Sequence, residues 1–256
     1  MARWLFVPTA FAALLGASRA EAYRPFDGTD AGVAARGAFE LELGPVHWYE
    51  RAERHTLLSP VTVHNFGVLP NTELVIELQG AVLPRPGQGR KRAALLGTDL
   101  LLKHVLRAGV LQGESGLSVA LELGPLTPEV NGTNAFGASA ALIVSARWEW
   151  GTVHFNERPA YSREHRLDLF NGVIVEGSHL WRVRPVSELF YERELGDAQT
   201  VSGLLGVVWS AREYFALDLG LRGARSGRED EAEVRLGFTW TTPSSESTAS
   251  SGEHRD

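Results

Sequence analysis

The 256 residues include no cysteine and one methionine. Without cysteine there are no disulfide staples, no thiol chemistry and no cysteine-ligated metal, so the fold has to hold by strand pairing and apolar burial. Long apolar runs are missing as well: beyond Leu15 an Arg, Glu or Asp recurs every few positions. No later stretch approaches the ~20 uninterrupted apolar residues of a transmembrane helix, so a membrane could be crossed only with strands. Charge of one sign is not concentrated either. The formal net charge is −6, and the basic residues are scattered and almost all arginine, which gives no nucleic-acid footprint.

What is present begins with an export signal. Arg3 precedes an apolar run from Trp4 to Leu15, and the small-residue site Ala20-Glu21-Ala22 stands ahead of Tyr23. These are the three parts of a cleavable secretory signal, and the apolar run is too short to span a bilayer. Cleavage is expected after Ala22.

From Gly37 onward the dominant pattern has a period of two. In the last such segment Val234, Leu236, Phe238 and Trp240 point one way and Glu233, Arg235, Gly237 and Thr239 the other. About twelve segments of this kind are readable, near 37–50, 54–68, 72–83, 97–107, 115–124, 136–147, 149–157, 164–176, 180–192, 199–210, 213–224 and 231–240. Each is close to the ~9 to 11 residues that a tilted strand needs to cross a membrane. An even number of strands with both ends on one side is the bacterial pattern. The expected fold is therefore all-β, a transmembrane antiparallel up-and-down β-barrel of about 12 strands in the outer membrane. The chain divides into signal peptide 1–22, a Gly-, Asp- and Ala-rich lead 23–36, barrel 37–240 and a Ser-, Thr- and Glu-rich tail 241–256 that composition reads as disordered. The lead is assigned to the periplasm, with folding into the lumen as the alternative.

Connections and aromatics agree with that topology. The two longest links, Pro84 to Leu96 and Pro125 to Ala135, fall on the outer side, whereas inner links such as Leu69-Pro70-Asn71 are mostly short. Trp148, Trp150, Trp181, Trp209, Tyr214 and Trp240 are assigned to the periplasmic rim, and Trp48, Tyr49, Tyr161 and Tyr191 to the outer one. Girdles of this kind seat amphipathic rings at headgroup level. Pro60 and Pro185 lie inside strand segments, where each removes a ladder donor, so a bulge is expected at both.

Alternation also assigns the inner face. Glu40, Glu42, Glu73, Glu77 and Glu122 oppose leucine-rich outer faces, and Arg182, Arg184, Glu188, Asp218, Arg222 and Arg235 do the same in later strands. Lys103, Asp99, His154, Asn156, Arg166 and Asp168 complete the polar lining. A lipid-facing Arg or Lys near the midplane costs roughly 2 to 4 kcal/mol, so a lumen is the sensible destination. Acids gather in the early strands and arginines in the late ones, and closure would bring Arg222 and Arg235 toward Glu40 and Glu42. Faces are mixed at Ser139 to Val144 and Val201 to Ser210. Twelve strands stand between a side-chain-filled barrel and an open pore.

Three functions fit this pattern. One is a passive channel for a small solute, needing no cofactor, with outer-membrane lipid around it and the barrel assembly machinery as a partner in biogenesis. A second is a non-transporting structural or adhesion barrel with a salt-bridged, closed interior. The third, an enzyme on the outer rim, would use Ser162, His165 and Asp168 with His154 and Asn156 nearby, but no nucleophile motif surrounds Ser162. No catalytic or metal residue is assigned; His47 and His55 lack a third ligand at diagnostic spacing.

The segments Arg24-Pro-Phe-Asp-Gly-Thr-Asp-Ala31 and Gly37-Ala-Phe-Glu-Leu-Glu-Leu-Gly-Pro45 resemble the opening of the outer-membrane transporters grouped with the MetA pathway of phenol degradation. Leu102-Lys-His-Val-Leu106 and Phe170-Asn-Gly-Val-Ile-Val-Glu176 look similar too. The resemblance implies an outer-membrane barrel that passes small, hydrophobic or aromatic solutes, and it carries no catalytic residues.

Overall fold

The computed structural model describes residues 24–51, 54–82, 93–130, 133–196 and 198–242. The signal segment, all of it before residue 24, and the tail beyond Thr242 lie outside them. Twelve strands are formed: β1 (Phe39–Arg51), β2 (Arg54–Leu69), β3 (Thr72–Val82), β4 (Ala93–Arg107), β5 (Ser118–Thr127), β6 (Gly137–Trp148), β7 (Gly151–Tyr161), β8 (Leu167–Gly177), β9 (Val183–Glu194), β10 (Gln199–Arg212), β11 (Phe215–Ser226) and β12 (Glu229–Thr241). Each pairs antiparallel with its sequence neighbour, and β1 pairs with β12, so the sheet closes with no free edge. The expected architecture and strand number are those found. The start of β1 and the end of β12 share one rim, the terminal rim; the other is the distal rim.

Closure follows from the alternation. Leu189, Leu205 and Leu221 on the outside are 68%, 71% and 58% exposed, while their inward neighbours Glu188, Leu204 and Gly220 are buried. The outward leucines and valines form a continuous apolar belt, far larger than the patches of soluble monomers and of the kind that hydrocarbon requires. The six aromatics expected on the periplasmic side are all exposed at the terminal rim, with Trp148 and Trp150 stacked at 5.5 Å. Trp48, Tyr161 and Tyr191 are exposed toward the distal rim.

Tyr49 departs from that girdle and turns into the lumen. The cause is a bulge between Leu43 and Val46, where β1 carries one residue more than β12 and the inward parity changes from Glu40 and Glu42 to His47 and Tyr49. A matching irregularity in β2, between Leu58 and Val61, holds Pro60 as expected. Pro185 forms no bulge: its ladder with Val207 is regular, and on the other side pairing with β8 ends at Glu176 and Val186, so no donor is needed there.

The terminal-rim links are short, with one exception. Between β4 and β5, residues 108–117 carry a single 3₁₀ turn, Val110–Gln112, that folds back under the barrel. At the opposite end of the chain the boundary of the tail shifts: Thr241 belongs to β12, and Thr242 donates its amide to Phe39 O at 2.8 Å.

Candidate functional site

The barrel's interior is organised around the lead. The periplasmic placement of the lead is overturned: residues 24–36 take the alternative and lie inside the lumen, where almost every strand supplies one contact to them. Arg24 stands against Asp218 of β11 (3.6 Å), and Pro25 O accepts from Arg235 Nη1 of β12 (2.8 Å). Glu188 of β9 accepts the amides of Asp27 and Gly28 at 2.8 and 2.7 Å. Asn156 of β7 takes the amide of Thr29 (2.9 Å) and returns a bond to Thr29 O (2.8 Å), replacing the partners a sheet would give. Ser145 of β6 accepts from Ala31 N (3.0 Å) and Glu73 of β3 from Ala34 N (2.6 Å). Gln112, on the long terminal-rim link, donates to Ala31 O (2.9 Å).

Apolar contacts seat the same segment. Phe26 packs on Val186, Val208 and Ala216, and Ala31 on Ala120, Ala141 and Ile143 with Leu111 alongside. Those contacts resolve the two mixed stretches: Ile143 of β6 and Leu204 and Val208 of β10 point inward, and the first and last of these lie beneath the lead. At Gly67 a Cβ would stand 2.0 Å from Ala35 O, so only glycine lets the lead pass β2 this closely. The lead is highest in the barrel at Asp27 and Gly28, opposite the middle of β9 and β12, and descends to the terminal rim at Gly37, whose amide bonds Gly67 O.

Charges around this path are paired. Arg235 holds Asp27 (3.0 Å) and Glu233 (2.7 Å); Arg222 also bonds Glu233, and reaches Glu231 at 3.4 Å and Asp27 at 3.7 Å. His47 Nε2 meets the same Glu233 at 2.5 Å. Lys103, 1% exposed, lies 3.5 Å from Glu73, 3.9 Å from Asp30 and 3.3 Å from Thr29 Oγ1. Burial pushes the Asp30 carboxyl above its ordinary value, opposed by the Lys103 ammonium. His154 bridges Ser145 (2.8 Å) and Glu176 (3.1 Å), and Glu176 also meets Arg184 at 3.5 Å.

Three expectations need correction. Arg182 is not in the lumen: it precedes β9, is exposed at the terminal rim, and its Nη2 reaches Ala211 O at 3.4 Å. Arg222 and Arg235 do not meet Glu40 and Glu42 across the seam, because the bulge in β1 brings His47 and Arg51 to that level and Asp27 and Glu233 occupy the arginines. Glu40 instead accepts from Thr241 Oγ1 (2.6 Å) and Glu42 from Asn65 (3.3 Å). Nor are the acids confined to the early strands, since Glu176, Glu188, Asp218, Glu231 and Glu233 face inward late in the chain. The remaining candidates, Glu73, Glu77, Lys103, Glu122, His154, Asp168 and Arg184, do line the interior or its cavities. Sequence reasoning missed Asp27, Asn156 as a lead acceptor, Ser145 and Arg158; only the lead's hydrogen-bonding needs could have pointed to the first three.

Two cavities remain beside the lead. A vestibule of about 470 Å³ fills the distal half above Asp27 and is lined by Tyr49, Asp99, Asp168, Phe190, Glu192 and Arg222 among others. A smaller chamber of about 210 Å³ lies between the lead and the wall of β2 to β5. Glu77, Glu122, Arg158 and Phe170 border both. The residues of a rim enzyme are not assembled: Ser162 and His165 share one tight turn in which Ser162 Oγ takes the Arg166 amide (3.3 Å) and His165 stacks on Tyr161, while His154 and Asn156 serve the lead. His47 and His55 are separated too, His55 stacking on Trp48 outside. Among the described residues no group of His, Cys, Asp and Glu could hold a metal.

No family model and no curated protein matches this chain. Among solved structures the KdgM porin is similar with a TM-score of 0.54 at 12% identity, over 78% of this chain and 98% of that one. The KdgM porin in complex with disordered oligogalacturonate gives 0.50 at 13% over the same shares, and the CymD monoaromatic hydrocarbon channel 0.44 at 9%, over 82% and 89%. The grouping with MetA-pathway transporters rests on the sequence segments that suggested it. The chain is thus a closed barrel of the fold used by the KdgM porin.

Proposed function

We propose that this protein is an outer-membrane diffusion channel for a small solute, exported by its N-terminal signal and narrowed from within by its own lead. The observation that carries this reading is the vestibule: a charged chamber of about 470 Å³ inside a barrel with an apolar belt, bottomed by Asp27 and adjoining a second chamber past it. The likeness to the KdgM porin supports the fold such a channel needs. Solute would move by diffusion through fixed charges, with no cofactor in the path. Lipid would contact the belt of β1 to β12, and the assembly machinery would meet the terminal rim that holds Trp240.

A second reading, a structural barrel with a closed interior, is favoured by the density of bonds on the lead. Single-channel recording of the purified, heat-modifiable protein in a planar bilayer separates the two. Discrete ion-conducting steps are expected for the channel; a correctly folded barrel that stays silent at all voltages overturns it in favour of the closed one.

A further inference from the structure

The charges of the vestibule divide unevenly around its wall. Eight carboxylates line it against three arginines and His47. On the side of the β1–β12 seam they cancel: Arg235 holds Asp27 and Glu233, Arg222 holds Glu233 and Glu231, and His47 meets Glu233. The other five acids stand on the opposite side, Glu77 on β3, Asp99 on β4, Glu122 on β5, Asp168 on β8 and Glu192 on β9. The one base of the lining among them is Arg158 of β7.

Cations behind this wall remove part of the excess. Arg163, in the β7–β8 turn, bonds Asp99. Lys103 stands opposite Glu122 in the β4–β5 ladder, but it also serves Glu73 and Asp30. Arg166 is drawn to Glu194 at 3.6 Å. Arg158 itself lies over the Phe170 ring at 4.6 Å and acts on Glu77, Asp99, Glu122 and Glu192 through its charge alone. One guanidinium is thus shared among four carboxylates. Asp168 stands diagonal to Glu192 across the β8–β9 ladder, and its Oδ1 is buried without a hydrogen bond among the described residues. The inner chamber is closer to balance, with three bases against five acids.

Fixed charge that the wall does not cancel is matched by mobile ions, and low-dielectric walls focus its field on them. An acidic excess therefore gathers cations and repels anions, as rings of Asp and Glu do in cation channels. At 0.1 M salt the screening length is about 10 Å, long enough to reach across a chamber of about 470 Å³, and at 1 M it falls to about 3 Å. We infer that the vestibule makes this channel select cations over anions, with Glu77, Asp168 and Glu192 as the selecting charges and Arg158 as their shared counter-charge. The flux rests on the channel reading; the sign of the preference rests on the charges alone.

The first test is the reversal potential of the purified full-length protein in a planar bilayer, across a KCl gradient at pH 8 with the dilute side at about 0.1 M. Potassium is expected to permeate about tenfold more readily than chloride, and raising both sides toward 1 M should shrink the preference. Asp168→Asn combined with Glu192→Gln should lower the ratio by about threefold, Arg158→Gln should raise it, and Glu149→Gln on an exposed turn of the terminal rim should leave it unchanged. Heat-modifiable migration checks that each variant is folded. A second measurement needs neither current nor the loss of a charge. The chain has no cysteine, so Ser139→Cys places a single thiol on the vestibule wall. A cationic methanethiosulfonate should modify it about tenfold faster than an anionic one, each rate taken relative to an exposed Glu149→Cys thiol. Equal permeabilities, a chloride preference, a ratio indifferent to the Asp168 and Glu192 substitutions, or equal relative rates at Ser139→Cys would each overturn the inference. Conducting steps without cation preference refute it alone; a silent barrel whose vestibule still favours the cationic reagent refutes the channel and leaves the charge pattern.

Discussion

Whether a buried charge in this lumen holds the protein together or faces its contents is decided by its partners. Arg184 meets Glu176, which in turn bonds His154 and through it Ser145. Removing the arginine leaves a buried carboxylate short of a cation, so Arg184→Ala should cost about 3 kcal/mol of stability, read as a lower Tm with conductance little changed. Glu77 makes no such bond with another described residue, feels Arg158 and Lys103 only through their charge, and borders both cavities. Glu77→Ala should alter conductance or ion selectivity while Tm stays near the parent value; the reverse pattern in the two variants would refute these roles. Glu188 belongs to a third kind. It holds two amides of the lead, and Glu188→Ala leaves both unpartnered, so hydrogen exchange at Asp27 and Gly28 should speed by about tenfold or more. Unchanged exchange would mean that the apolar seat of Phe26 and Ala31 fixes the lead by itself.

At the scale of elements, the strands were readable because alternation is a local property of each segment. The errors arose where something distant decides. Tyr49 leaves the outer-rim girdle expected of it because a bulge, invisible to a period of two, changes the parity of β1 beyond Pro45. Ile143 and Val208 fall in stretches where the faces are mixed, and an apolar residue pointing into a polar lumen there makes sense only once Ala31 and Phe26 lie over it. Arg182 was read inward by extending β9 three residues too far. The inward-facing acids were recognised, but their role as acceptors for the lead was not, because Glu188 and Asp27 are 161 residues apart in the chain. The paired bulges also make a prediction. Along the β1 and β2 ladder the register passes from Gly44 opposite Val61 to His47 opposite Leu58, so each strand carries one extra residue and the two compensate. Deleting Pro45 alone, or Pro60 alone, should mispair this ladder and reduce the heat-modifiable, folded fraction. Deleting both should restore it, and a double deletion no better folded than either single one would refute the compensation.

For the whole molecule the open issue is whether the lead is a wall or a gate. Ordering a backbone residue costs roughly 1 to 2 kcal/mol, against a net gain of about 1 kcal/mol for a typical hydrogen bond. A thirteen-residue segment held chiefly by one polar contact per strand is therefore near balance, unlike the closed ladder around it, where each strand is bonded on both sides. That asymmetry places any motion in the lead and leaves the barrel rigid. The absence of cysteine allows a clean lock. A Cβ on Gly28 would stand 3.2 Å from Asn156 Cγ, within reach of a disulfide between substituted positions. In the Gly28→Cys/Asn156→Cys variant, oxidation should hold the lead against β7, suppress the larger conducting states and let reduction restore them, while Gly28→Cys alone should not respond. Identical recordings in the oxidised and reduced forms would make the lead a fixed wall, and conduction would then pass only through the space it leaves beside β2 to β5.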